Sequence, residues 1–207
     1  KIIFILREGQ IIHYFITGIW TEQKEFIVPS NSIVFGCRLR ILAPEFLLNR
    51  EIASISNQLT SLPFSYLDIK NADFSSFENI VKHLERMFLK NKPYKNIEGN
   101  KLRLSELLYH KHGSISAAEV ANQIFWTNRQ INRYLNKYIG LSLKKYLNIQ
   151  KVYSAYLEIR KGNFFPKKDY FDQAHFIKEV KKHTGHTPTE LYEKQNDRFI
   201  QLKHIQE

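Results

Sequence analysis

The hydrophobic period of this chain changes once, near Pro44, and that change limits what it can fold into. Before Pro44, the runs Ile2–Leu6, Ile11–Trp20, Glu25–Val28 and Ser32–Ala43 are rich in Ile, Val, Phe, Tyr and Thr, which fit a pleated surface. Arg7–Gln10, Thr21–Lys24 and Pro29–Asn31 separate them with turn compositions. The last run alternates, with Cys37, Leu39 and Ile41 on one face and Arg38 and Arg40 on the other. That is period two with one face in water. Four strands starting at the first residue read as the tail of a β-barrel or sandwich whose earlier strands lie upstream of Lys1.

After Pro44 the pattern is helical. Pro44–Asn49 and Glu51–Leu62 read as short helices. Ser75 or Ser76 can cap a longer helix through Asn91, with Phe77, Ile80, Val81, Leu84, Met87 and Phe88 on one stripe. The expected fold class is therefore α+β: a partial antiparallel N-terminal sheet with helices, then an all-α region. The polar stretch 91–100, with Pro93 and Gly99, is the expected boundary. Regions 1–92, 101–193 and 194–207 are then a first domain, a second domain and a C-terminal extension.

Composition supports one large domain or two small ones, since 43% of the 207 residues are apolar and 14% aromatic. A single cysteine, Cys37, excludes an internal disulfide framework and suits a reducing compartment. No apolar run reaches the roughly 18 residues a membrane-spanning helix needs. No charged-then-apolar leader opens the chain, and Lys1 in place of Met reads as a truncated or processed start.

Charge is lopsided. Residues 1–100 carry 12 basic and 10 acidic residues, whereas residues 101–207 carry 19 and 10, a net of +9 within a total of +11. A basic half beside a near-neutral half points to a polyanion-binding module joined to something else. A merely soluble basic surface is the plain alternative.

The basic half is marked by helix signals. Lys101–His112 sets Leu102, Leu104, Leu107 and Leu108 near one side and ends at Gly113. Ser116 and Glu119 form a capping box, followed by Ala117, Val120, Ala121 and Ile124 at helical spacing. Thr127 and Gln130 form another, and its helix buries Ile131, Leu135 and Tyr138 before stopping at Gly140. Two short helices across the turn Phe125–Thr127 make a helix-turn-helix pattern, with 128–138 as the recognition helix. Arg129, Asn132, Arg133 and Asn136 lie on its outward side. Arg can fork to guanine O6 and N7, and Asn can pair with adenine N6 and N7. A solvated face of an ordinary bundle is the alternative, although Asn is a poor helix former and three in one helix suit plain solubility badly.

Residues 113–193 resemble the DNA-binding region of the AraC/XylS family of bacterial transcription regulators. The text that carries the resemblance is Ile115–Ala121, Thr127–Leu135, Tyr138–Leu147, Tyr170–Lys182 and Thr184–Tyr192. The resemblance implies two helix-turn-helix units joined by a long helix, here Ser142–Lys161, whose apolar residues lie on more than one side. It places the first unit's base contacts on Arg129, Asn132 and Arg133. Thr127 and Asn136 complete that DNA-binding set, and Gln173, Ala174, His175 and Lys178 take the second unit's positions. His175 suits packing or capping equally well. The second unit departs from the family, because only Gly162–Asp169 precedes Tyr170 and Pro166 blocks a regular helix there. It is expected to be degenerate and to favour backbone contacts. Asp172 can cap its second helix, Phe176 and Val180 can pack it, and Thr187, Pro188 and Glu190 open a last helix.

A weaker resemblance joins the N-terminal strands, Val34–Pro44 and Phe46–Leu48 to the end of the cupin-like sensor domain of some members. It implies an effector of unknown identity, a homodimer and a cytoplasmic, nucleoid-associated place. The partner implied is double-stranded DNA, with no membrane. Enzyme chemistry is not expected. His110 and His112 point to different sides of a helix, Gly185 separates His183 from His186, and no acidic or cysteine partner sits near either pair. No metal site, cofactor or catalytic residue follows, Cys37 has no readable His partner, and no glycine loop cradles phosphate. The rival to a regulator is a ligand-sensing or protein-interaction module whose helical half no longer reads DNA well.

Overall fold

The computed structural model describes residues 1–22, 24, 26–90, 97–165 and 172–193. The expected boundary at 91–96, the second-unit residues 166–171 and the extension 194–207 lie outside them. The fold class is α+β. The chain divides into two compact units. One comprises Lys1–Trp20, Lys24–Ser105 and Tyr134–Gly140, and the other takes its described residues from Thr21–Gln23, Glu106–Arg133 and Leu141–Glu207.

In the first unit, β1 (Ile2–Arg7), β2 (Gln10–Thr17), β3 (Ser32–Cys37) and β4 (Leu59–Ser61) form an antiparallel sheet in the order β3-β1-β2-β4. Glu8 and Gly9 close the β1–β2 hairpin with φ of 53° and 74°. Two positive φ values in a two-residue loop match the strands' right-handed twist. Phe4 is the centre of an aromatic face. It pairs in register with Tyr14 and with Phe35, and its ring stacks on Tyr14 at 4.9 Å and meets Phe35 at 5.6 Å. Phe4, Ile2 and Ile16 are fully buried there.

Four expectations are corrected here. Residues 26–28 are not a strand, and β2 stops at Thr17. β3 stops at Cys37, although the burial alternation runs on through Arg40. Residues 51–62 are not a helix but a 3-10 turn at Ala53–Ile55 followed by β4. The fourth strand of the sheet therefore comes after the first helix. Leu62 N–H donates to the Tyr14 carbonyl at 2.9 Å just beyond it, and ladder partners of this kind decide a short apolar run that periodicity cannot.

Helix α1 (Ala43–Phe46) is a single turn, shorter than expected. Helix α2 (Phe77–Lys90) buries Ile80, Leu84 and Met87 as its stripe requires, but also His83, while Phe77 stays exposed. His83 Nε2 lies 2.9 Å from the Leu67 carbonyl and Nδ1 lies 3.2 Å from Arg86 Nη2. A carbonyl only accepts and a guanidinium only donates, so Nε2 donates to Leu67 and Nδ1 accepts from Arg86.

Helix α3 (Gly99–Lys111) fully buries Leu104 and Leu108 but leaves Leu102 exposed. Lys101, within its first unit portion, donates to Glu45 Oε1 at 2.8 Å and sits 5.4 Å from the ring centres of both Phe46 and Tyr134. Desolvation lowers this ammonium, but the Glu45 bond and charge outweigh it and hold the group above its ordinary range.

In the second unit, α6 (Leu143–Arg160), α7 (Gln173–Thr184) and α8 (Pro188–Glu193) pack together. Val152, Ala155, Tyr156 and Ile159 of α6 enclose Phe176 and Val180 of α7 and Leu191 of α8 in one core. A different stretch of α6 carries the turn after α3. At Gly113, φ is 88°, and an added Cβ would come within 2.5 Å of the Leu147 carbonyl oxygen. Helix α6 is thus buried on more than one side, as its sequence implies.

Candidate nucleic-acid interface

Helices α4 (Ala117–Ile124) and α5 (Asn128–Ile139) flank the three-residue turn 125–127. Their starts form as the local sequence dictates. Ser116 Oγ accepts from Glu119 N–H at 3.2 Å while Glu119 Oε2 accepts from Ser116 N–H at 2.8 Å. Thr127 Oγ1 accepts from Gln130 N–H, and Gln130 Oε1 accepts from Thr127 N–H at 2.8 Å. Each box satisfies two N–H groups that a helix start leaves without an intrahelical acceptor. Val120, Ile124 and Ile131 are completely buried, as is Leu135 on the part of α5 that belongs to the first unit.

Helix α4 ends unusually. Phe125 has φ of 58° and ψ of 33°, and the residue is 77% exposed. The left-handed region favours glycine because a Cβ there meets the following carbonyl. A bulky residue holding that geometry is strained.

The exposed residues of α5 divide into two kinds. Arg129 and Arg133 are exposed one turn apart, and among the described residues neither guanidinium has a hydrogen-bond or ion-pair partner. Asn136 is exposed too, and Thr127 is exposed with its hydroxyl committed to the box. Asn132 is different, and it corrects the expectation that its amide faces outward. It is half-buried. Its Nδ2 donates to the Asn128 carbonyl at 2.8 Å, and its Oδ1 accepts from Leu143 N–H at 2.8 Å. Leu143 is the first residue of α6, where Ser142 Oγ serves Lys145 N–H. Asn132 therefore completes from a neighbouring helix the cap that Ser142 begins.

On α7, Gln173, Ala174, His175 and Lys178 are all exposed, while Phe176 and Val180 are buried. Asp172 Oδ1 accepts from His175 N–H at 2.7 Å, and Gly185 ends the helix with φ of 75°. His183 in the last turn is mostly covered, with Nε2 4.0 Å from Glu179 Oε2, and His186 Nδ1 lies 3.9 Å from Glu190 Oε2. This corrects the expectation that no acidic partner sits near this pair; each carboxylate is one helical turn away in sequence. Burial pushes the His183 imidazole below the ordinary range against the attraction of Glu179. Thr187 and Glu190 close the box that opens α8.

Two cations outside the expected set belong with this surface. Lys144 and Lys145 occupy the exposed first turn of α6. Positive charge at a helix N-terminus opposes the macrodipole, so their placement does not serve α6 itself. Only their position just after the Gly140–Ser142 turn could have signalled them.

Among the described residues, no group of three or more His, Cys, Asp or Glu side chains could hold a metal. No helix there is long and apolar enough to cross a membrane. An open groove of about 750 Å³ on α2 is lined by Asp68, Lys82, Glu85, Arg86 and Lys90 with Met87 and Leu89, and contains none of the expected DNA-binding residues. No protein-family model, curated protein or solved structure matches this chain.

Proposed function

We propose that this chain is a sequence-specific DNA-binding transcriptional regulator of the AraC/XylS type, with α5 as a major-groove recognition helix. One observation carries the reading: Arg129 and Arg133 stand exposed, with no partner among the described residues, on a helix whose other side is buried through Ile131 and Leu135. Two guanidiniums one turn apart, unmatched by acids, suit guanine edges or phosphates better than solubility alone. Lys144 and Lys145 add positive charge where α6 gains nothing from it. On this reading α7 presents Gln173, His175 and Lys178 as a second, weaker contact, and the organism's nucleoid is the working location. An effector and a homodimer belong to the same proposal through the N-terminal sheet.

The test is selection of bound genomic duplexes by the chain, followed by affinity measured against salt. A regulator enriches one sequence pattern. Its log affinity falls with log salt at about 0.9 per phosphate contacted. Equal retention of unrelated duplexes contradicts the reading and favours the ligand-sensing or protein-interaction alternative.

A further inference from the structure

The two ends of the Asn132 amide are both engaged inside the protein. The assignment of oxygen and nitrogen is unambiguous, because the Asn128 carbonyl can only accept and the Leu143 N–H can only donate. An amide held at both ends keeps one spare N–H and one spare lone pair, but, half-buried and fixed by both bonds, it is not free to turn them toward an adenine edge. What it does offer is a fixed link between the first turn of α5 and the first peptide of α6. Along the chain the two are separated by Gly140, whose φ is 75°, and by the unhelical Leu141–Ser142. Among the described residues, no other side-chain hydrogen bond ties residues 128–133 to the start of α6.

We infer that Asn132 is a positioning residue that locks the recognition helix to the start of α6, and that it does not read a base. The inference rests on the proposed DNA-binding role of α5. It assigns base discrimination on this helix to Arg129 and Arg133, with Asn132 setting the angle at which they arrive.

Three variants of the full chain separate the possibilities. Asn132→Ala removes both bonds. Asn132→Asp keeps an acceptor for Leu143 N–H. Asn132→Gln keeps an amide able to read adenine but displaces it by one methylene from the Leu143 N–H. The first readout is hydrogen exchange at the Leu143 amide without DNA. Exchange is expected to accelerate at least about tenfold in Asn132→Ala and Asn132→Gln relative to the rest of α6, and to stay slow in Asn132→Asp. The second readout is the base-preference profile on the selected duplex and its single-base variants. Asn132→Ala is expected to weaken all of them by a common factor and leave the profile's shape unchanged. Loss of preference at one base pair, retained by Asn132→Gln, overturns the inference, as does an unchanged Leu143 amide. If the unsubstituted chain shows no preference among duplexes, the reading of function fails, and the Leu143 exchange alone decides whether the lock exists.

Discussion

The side-chain oxygen of Asn132 caps the backbone of Leu143 at 2.8 Å, so a residue of one helix supplies the N-terminal partner of the next. The arrangement contributes to stability as well as to aim. Asn132→Ala leaves the Leu143 N–H to find water and removes a second bond to Asn128. We expect a loss of about 1–2 kcal/mol, measured by denaturant unfolding at constant slope.

Phe125 yields a prediction of the opposite sign. Its φ of 58° is unfavourable for any residue with a Cβ. Phe125→Gly removes that strain and, after the added freedom of the unfolded chain, should stabilise by about 0.5–1 kcal/mol. Phe125→Ala retains the Cβ and should show no gain. Thermal unfolding of both variants distinguishes them, and equal loss in both contradicts the strain argument.

Local signals carried much of this far, and their limits are physical. The boxes at Ser116, Thr127 and Thr187 are legible because cap and partner are three residues apart and nothing distant interferes. The β1–β2 hairpin is legible for the same reason. By contrast, Leu59–Ser61 is a strand only because β2 offers it a ladder, and Phe26–Val28 is equally suited in composition but has none. The partner of Asn132 lies 11 residues away across a turn. Helical periodicity assigns Asn132 a face but says nothing of what meets it. Burial of His83 on α2 is hidden similarly, because the Leu67 carbonyl that receives it is 16 residues upstream.

Lys101 and Glu45 form a mostly covered ion pair, at 14% and 18% side-chain exposure. Lys101→Met preserves most of the stem over Phe46 but strands the carboxylate. Breaking such a pair from one side should cost about 3 kcal/mol. The double variant Lys101→Met/Glu45→Gln should recover part of that loss, since no uncompensated charge remains. A double-mutant cycle in denaturant measures the coupling, and additive losses would contradict it.

His183 makes stability fall on acidification. Burial holds its folded-state pKa below the ordinary value of 6.5. Below that pH the unfolded chain binds a proton that the folded chain resists, so the contribution is complete above about pH 6.5 and is lost as the pH drops toward the folded value. Unfolding free energies between pH 7.5 and about pH 5 should decline in the parent and decline less in His183→Gln. Parallel curves would remove His183 from the explanation.

The most direct measurement is the affinity of Arg133→Ala for the selected duplex and for a scrambled one of equal length. We expect a loss of about 1–3 kcal/mol on the selected duplex, relaxed preference at one base pair, and a much smaller change on the scrambled duplex. Undiminished affinity for the selected duplex, with its preferences intact, would contradict the placement of α5 in the major groove.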